Sequence, residues 1–228
     1  MLIKTKGIVL GSIKYKESSI IVRIYTEALG LRSYIIHGVR SSKSKNNKAA
    51  LYRPLTLLDM EVYERGNTEI QKVADARISR PFFSFQSNIY KSTILIFLTE
   101  VLSKLLKEEE SNDALFTFLE QSLIAFDQIE AHFSNFHLQF LLKLPLHMGF
   151  GFSKASEMIE QLQAVRTEDK QIEGAINMLL DSSYTAAIPL NHKTRSTILD
   201  YLLKYFQLHM HNFGTVKSLA ILQEVLSD

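Results

Sequence analysis

The side chains with chemistry to offer in this 228-residue chain are the cations and tyrosines of its first third. Lys14, Lys16, Arg23, Arg32, Tyr34, Arg40, Lys43, Lys45 and Lys48 follow one another closely, with Arg53 just beyond. Ammonium and guanidinium groups neutralise phosphates and phenol rings stack on bases, so this interleaving suits a polyanion that carries bases. Lysines in a loop often serve solubility alone. Here the loop from Arg40 to Lys48 joins strands that already carry cations, and the charge is polarised along the chain. Residues 1 to 80 hold 15 basic and 7 acidic side chains, a balance of +8, whereas the remainder holds 11 and 17, a balance of −6. Such asymmetry points to a polyanion partner for the first part and not for the second. All 14 Phe lie after position 80 and the chain has no Trp, so stacking in the basic part rests on tyrosine alone. The expected binding is sequence-tolerant and dominated by charge.

Other chemistries find no support. The chain has no G-x-S-x-G elbow, no phosphate loop ending in GK[ST] and no G-x-G-x-x-G. Gly149-Phe150-Gly151 follows a helical pattern instead of a strand and reads as a helix break. The seven histidines form no H-x-x-x-H or H-E-x-x-H pair. His209 and His211 on a helix diverge by about 200° around its axis, too far to share an ion. Histidines on helix surfaces or hydrogen-bonded in a core are the reading, and neither catalysis nor a cofactor is expected. The absence of cysteine excludes disulfides and thiolate metal sites. The amino terminus lacks the apolar centre of an export signal, and no apolar run is long enough to span a bilayer. A soluble, cytoplasmic protein without membrane association is expected.

The elements that would position the cations are short strands. Ile20, Val22 and Ile24 alternate with Ile21, Arg23 and Tyr25, and Glu27 to Gly30 supplies a turn. In the next run Arg32, Tyr34, Ile36 and Gly38 alternate with Ser33, Ile35, His37 and Val39, which predicts a basic and aromatic surface opposite a largely apolar face. Tyr25 and Tyr63 read as strand packing. A fourth strand has Leu58, Met60 and Val62 as its interior set, and a fifth follows the Gly66-Asn67 turn. Five strands in about 80 residues predict a small barrel, either of the oligonucleotide-binding or of the SH3-like kind. Pro81 ends the last strand, so a strand domain over 1–80 and a helical domain over 81–228 are expected.

Six or seven helices are expected beyond that boundary. The first has a stripe from Ile94 to Leu106, and the second is capped by Asn112 or Asp113. The third, Ser134 to Met148, is expected to kink or end early at Pro145. A short helix capped by Ser153, one from Gln171, a long one introduced by Asn191 and a last one through Leu222 complete the set. The dense phenylalanines of this part also admit a protein-interaction adaptor, and the charge of the first part equally admits an RNA-binding barrel.

The sequence further resembles the RecO family of recombination mediators and DNA repair proteins. The resemblance rests on Gly7-Ile8-Val9-Leu10, Glu17-Ser18-Ser19-Ile20, Thr26-Glu27 with Gly30-Leu31, Gly38-Val39-Arg40, and Leu51 with Pro54. It continues through Leu141-Leu142-Lys143-Leu144, Gly149-Phe150 and Lys217-Ser218-Leu219. It implies an α+β chain, with an oligonucleotide-binding barrel followed by an all-α domain. It also implies binding of single- and double-stranded DNA, strand annealing, and assistance in recombinase loading. RecR and the C-terminal tail of single-stranded-DNA-binding protein are the implied protein partners. Many relatives carry a four-cysteine zinc site after the Gly-Phe element. Here Phe152 to Glu173 holds no cysteine, so zinc is not carried over and packing of Met158, Ile159, Leu162 and Ile172 must substitute.

Overall fold

In the computed structural model, residues 1–39, 48–66, 68–107, 110–162 and 170–226 are described. Five strands, β1 (Leu2–Tyr15), β2 (Ser19–Thr26), β3 (Gly30–Ile36), β4 (Leu57–Tyr63) and β5 (Ile70–Arg80), close into a barrel in the order β1-β2-β3-β5-β4. All pairings are antiparallel except β3 with β5. This is the five-stranded oligonucleotide-binding arrangement. The 14-residue β1 pairs with both β2 and β4, and a break in its register between Val9 and Gly11 lets it bend around the barrel. Gly30 turns the chain from β2 to β3 with φ of 64°, a left-handed conformation that favours glycine. Thr26 secures that turn, its hydroxyl donating to the Gly30 carbonyl and accepting from the Leu29 amide.

The barrel interior is filled by Val9, Ile20, Val22, Ile24, Tyr34, Ile36, Leu58, Met60 and Val62. The interior set of β4 is thus as the sequence predicts. The two faces of β3 are reversed. Tyr34 lies opposite Val22 and Ile36 opposite Ile20, so both point inward, while Ser33 and Ile35 lie outside. Burying a tyrosine and an isoleucine removes more apolar surface from water than burying a serine and a histidine. Tyr25 is packing, as expected, but Tyr63 is largely exposed.

Gly7 marks the tightest point of this interior. A Cβ there would lie 2.7 Å from both the Ile24 Cγ2 and the Met60 Sδ. Gly7→Ala is expected to destabilise the protein by about 1–3 kcal/mol through overpacking, read as a lower midpoint in urea with the slope unchanged.

Two compact units emerge, Met1–Phe83 with Thr99–Glu120, and Ser84–Leu98 with Gln121–Asp228. In the first, the segment 99–120 comprises the end of α3 (Ile89–Leu105) and the start of α4 (Asp113–Gln128), and it covers part of the barrel's outer face. Tyr25 stacks on Phe116 with centroids 6.3 Å apart, and Ser103 donates to the Leu10 carbonyl at 3.1 Å. The Lys6 ammonium meets Glu120 at 2.9 Å. A short helix, α1 (Lys48–Leu51), precedes β4.

The second unit is helical. It contains α2 (Ser84–Ser87), the remainder of α3 and α4, α5 (Phe136–His147), α6 (Ala155–Gln161), α7 (Lys170–Asp181), α8 (His192–His209) and α9 (Leu219–Val225). Its centre is an aromatic run, with Phe126 stacked on Phe136 at 4.0 Å and Phe136 on Phe140 at 5.9 Å. Polar residues on α5 satisfy carbonyls beyond the end of α7: Gln139 donates to Ser183 O and Lys143 to Ser182 O. Asn112 caps α4 through the Leu115 amide and Asn191 caps α8 through the Thr194 amide, as the sequence predicts. Two expectations are corrected. Pro145 occupies the last turn of α5, where the helix runs on to His147 without an early end. Ser153 does not cap α6; Lys154 holds that position, and Ser153 instead donates through its amide and hydroxyl to the Glu157 carboxylate.

Candidate nucleic-acid interface

The largest recess on the barrel unit is a groove of about 750 Å³ beside β2, β3 and the turn between β4 and β5. Arg23, Arg32, Arg65 and Lys107 line it, with Glu64 and Glu69. Arg23 is exposed on the outer face of β2, opposite Ser33. Arg65 stands on a turn that Gln71 clasps from within. The buried Gln71 amide donates to the Arg65 and Thr68 carbonyls, both at 2.8 Å, and its oxygen accepts from the Arg65 amide at 3.1 Å. Lys107 follows the end of α3.

Arg32 has a different role from Arg23. It lies opposite Ile24, on the inward-facing set of β3, and its guanidinium approaches Glu64 at 3.8 Å and donates to the Leu31 carbonyl. That pair closes one end of the barrel, so Arg32 brings little net charge to the groove. Tyr34, expected as a stacking ring, is wholly buried. Loss of solvent, reinforced by Glu64, pushes its phenol far above the ordinary tyrosine range. It cannot meet a base.

Lys14 and Lys16 are exposed at the turn between β1 and β2, with the Lys16 ammonium 5.4 Å from the Tyr15 ring centre, and neither lines the groove. Arg53 is exposed between α1 and β4. Arg40, Lys43 and Lys45 lie outside the described residues, as does the side chain of Lys48. Of the ten residues singled out in the sequence, the structure therefore brings Arg23 and Arg32 to one recess and adds Arg65 and Lys107. A turn signal follows Arg65 directly, which places it at a loop. Nothing local to Lys107 says that the chain returns it to β2.

Elsewhere on the barrel, charges cancel. On the face formed by β1, β4 and β5, Lys4 pairs with Glu61 at 3.3 Å and Arg77 with Asp59 at 3.3 Å. That face therefore offers no track for phosphates, whereas the groove retains Arg23 and Arg65.

Comparison with known proteins places the whole chain. Residues 1–82 match the family described as Recombination protein O N terminal, and residues 86–159 match Recombination protein O C terminal. The DNA repair protein RecO of Flavobacterium psychrophilum is 35% identical over 242 positions, which cover all of both chains. The chain belongs to the RecO family. The RecO of Flavobacterium johnsoniae is 33% identical, again over the full length of both, and that of Bacteroides fragilis is 32% identical over 99% of each.

The residues of this RecO-family chain do not fit the zinc site implied for many members. It has no cysteine, and among the described residues no group of three or more His, Cys, Asp or Glu could hold a metal ion. Packing occupies the place instead. Met158 and Ile172 are buried, Ile159 and Leu162 half-buried, and the Ala155 amide donates to the Asn177 side chain at 2.8 Å, tying α6 to α7. His137 shows why a buried histidine need not be a ligand. Burial, helped by Arg195, pushes its imidazole down to about 3, so it stays neutral beside the edge-on ring of Phe97.

Proposed function

We propose that this RecO-family chain is a DNA-binding recombination mediator in DNA repair. It anneals complementary single strands and assists the loading of recombinase onto DNA coated with single-stranded-DNA-binding protein. It performs no bond-making chemistry of its own. The observation that carries this reading is the groove holding Arg23 and Arg65 on a five-stranded oligonucleotide-binding barrel, in a chain similar along its whole length to proteins named DNA repair protein RecO. Arg23, Arg65, Lys107 and the basic loop from Arg40 to Lys48, with Lys14, Lys16 and Arg53, neutralise phosphates of single- or double-stranded DNA without reading bases.

In this reading residues 1–80 carry the nucleic-acid contacts, whereas residues 81–228 serve chiefly to dock proteins. RecR and the C-terminal tail of the single-strand coating protein are the partners, and the protein works in the cytoplasm on nucleoid DNA. No helix among the described residues is long and apolar enough to cross a membrane. The adaptor reading loses its motive, because Phe97, Phe116, Phe126, Phe136, Phe140, Phe206 and Phe213 are core.

The test is binding and annealing as a function of salt. Affinity for single strands is expected to fall with a log–log slope of about 0.7 per neutralised phosphate, and for duplex about 0.9. Annealing of two complementary oligonucleotides is expected to accelerate with stoichiometric protein at low salt. Binding to RNA of the same sequence with clearly higher affinity would move the reading to an RNA-binding barrel.

A further inference from the structure

The outer face of the barrel beside the groove carries an apolar strip. Ile13 lies opposite Ile21, Ile21 opposite Ile35, and Ile35 opposite Lys72, so one row crosses β1, β2, β3 and β5. The adjacent row contains Gly11, Arg23, Ser33 and Ile70. Ile13 is 65% exposed and Ile70 39%, while Ile21 and Ile35 are half-buried. At the usual strand spacing of about 4.8 Å, three isoleucines in a row give a strip some 10 Å long.

The surroundings of the strip identify what covers it. Neither row holds an acidic residue. Arg23 borders it on the side of the groove, Lys72 ends it, and Lys14 and Lys16 stand at the hairpin tip beyond Ile13. Arg23 and Ser33 belong both to the second row and to the groove wall, so the apolar strip and the cationic recess are one continuous surface. A partner that fits both must present an apolar face and a line of negative charge a few ångströms apart. An unpaired nucleic-acid strand does so, since its bases are apolar on their faces and its phosphates follow at regular intervals. A duplex offers the phosphates alone, because its bases are stacked inside.

We infer that the Ile13-Ile21-Ile35 strip receives unpaired bases of a single strand whose phosphates lie along Arg23 and the groove, and that this contact makes the barrel distinguish single strands from duplex. The inference rests on the DNA-binding reading above and adds to it the surface that senses unpairing. Branched aliphatic chains contact base faces and the thymine methyl without selecting a sequence, which suits a protein that must anneal any pair of strands.

The experiment measures anisotropy with the full chain and three probes of equal length: oligothymidylate, the corresponding abasic strand and a duplex. The wild type is expected to bind oligothymidylate about tenfold more tightly than the abasic strand. Ile13→Ser, at an exposed site where the fold tolerates a polar group, is expected to shrink that ratio several-fold while leaving the salt slope and duplex affinity unchanged. Ile13→Phe, which restores a broad apolar face, is expected to keep or raise the ratio. Equal binding of thymidylate and abasic strands by the wild type would overturn the inference while leaving the DNA-binding reading intact. So would an Ile13→Ser variant that binds all three probes as the wild type does but changes its association with itself or with another protein, since the strip would then be a protein interface. A wild type that binds none of the probes would overturn both.

Discussion

Charge reversal of Arg23, Arg65 and Lys107 to Glu is expected to weaken single-strand binding at least a hundredfold at low salt and to lower the salt slope by about 2, three phosphate contacts at roughly 0.7 each. The three side chains line one recess but come from β2, from the turn between β4 and β5, and from beyond the end of α3. None is buried in the core, so far-ultraviolet circular dichroism and the thermal midpoint are expected to stay near wild type. Reversing Arg40, Lys43, Lys45 and Lys48 in the loop is expected to abolish annealing in the same way. Lys4→Glu is the control. Its ammonium is already paired with Glu61 on the neutralised face, so binding should change little. An equal loss of affinity in Lys4→Glu and in the triple variant would mean that net charge alone governs binding and that the groove has no special part.

A large effect on stability is expected at Lys91, which is only 2% exposed. Its ammonium donates to the Phe126 carbonyl at 2.8 Å, to the Asp127 carbonyl at 3.1 Å and to the Ser84 hydroxyl at 2.9 Å. The two carbonyls lie in the last turn of α4, where the helix leaves acceptors without an intrahelical partner and where its dipole favours a cation. The Phe126 and Phe133 rings lie 5.3 and 5.4 Å from the same nitrogen. Desolvation is the chief influence on this lysine and holds its pKa below the usual value, so its partners stabilise a charge that burial disfavours. Lys91→Met keeps the stem and deletes the donor. It is expected to cost about 3 kcal/mol by stranding buried carbonyls, seen as a thermal midpoint lower by roughly 6–12 °C. A midpoint within 2 °C of wild type would show that water replaces the ammonium without loss.

Period-two alternation made the barrel legible, because β2 and β4 each bury one face and pair with neighbours that do the same. It failed on β3. There Arg32 shares the inward set with Tyr34 and Ile36, and one cation in that set made an interior face look like a surface. Nothing in the local pattern reveals that Glu64 waits at the barrel end to pair with it. Arg23 was legible because an arginine between Val22 and Ile24 has only the outer face available. Lys107 was not, since its neighbourhood depends on the path of residues 99–120 back to the barrel, a tertiary fact with no local signature. The aromatic run of the helical unit showed the reverse failure. Phenylalanines that suggested a docking surface fill a core, because the 3.6-residue period fixes which residues share a face and leaves open what covers that face.

The clasp made by Gln71 bears on kinetics as well as on form. With three hydrogen bonds from one buried amide group, the segment presenting Arg65 is ordered before any strand arrives. Encounter with a phosphate then requires only rotation about the arginine's own bonds. A mount of this kind suits a protein that must grip and release many strands in succession, because capture need not wait for the backbone to arrange itself and departure need not wait for it to melt.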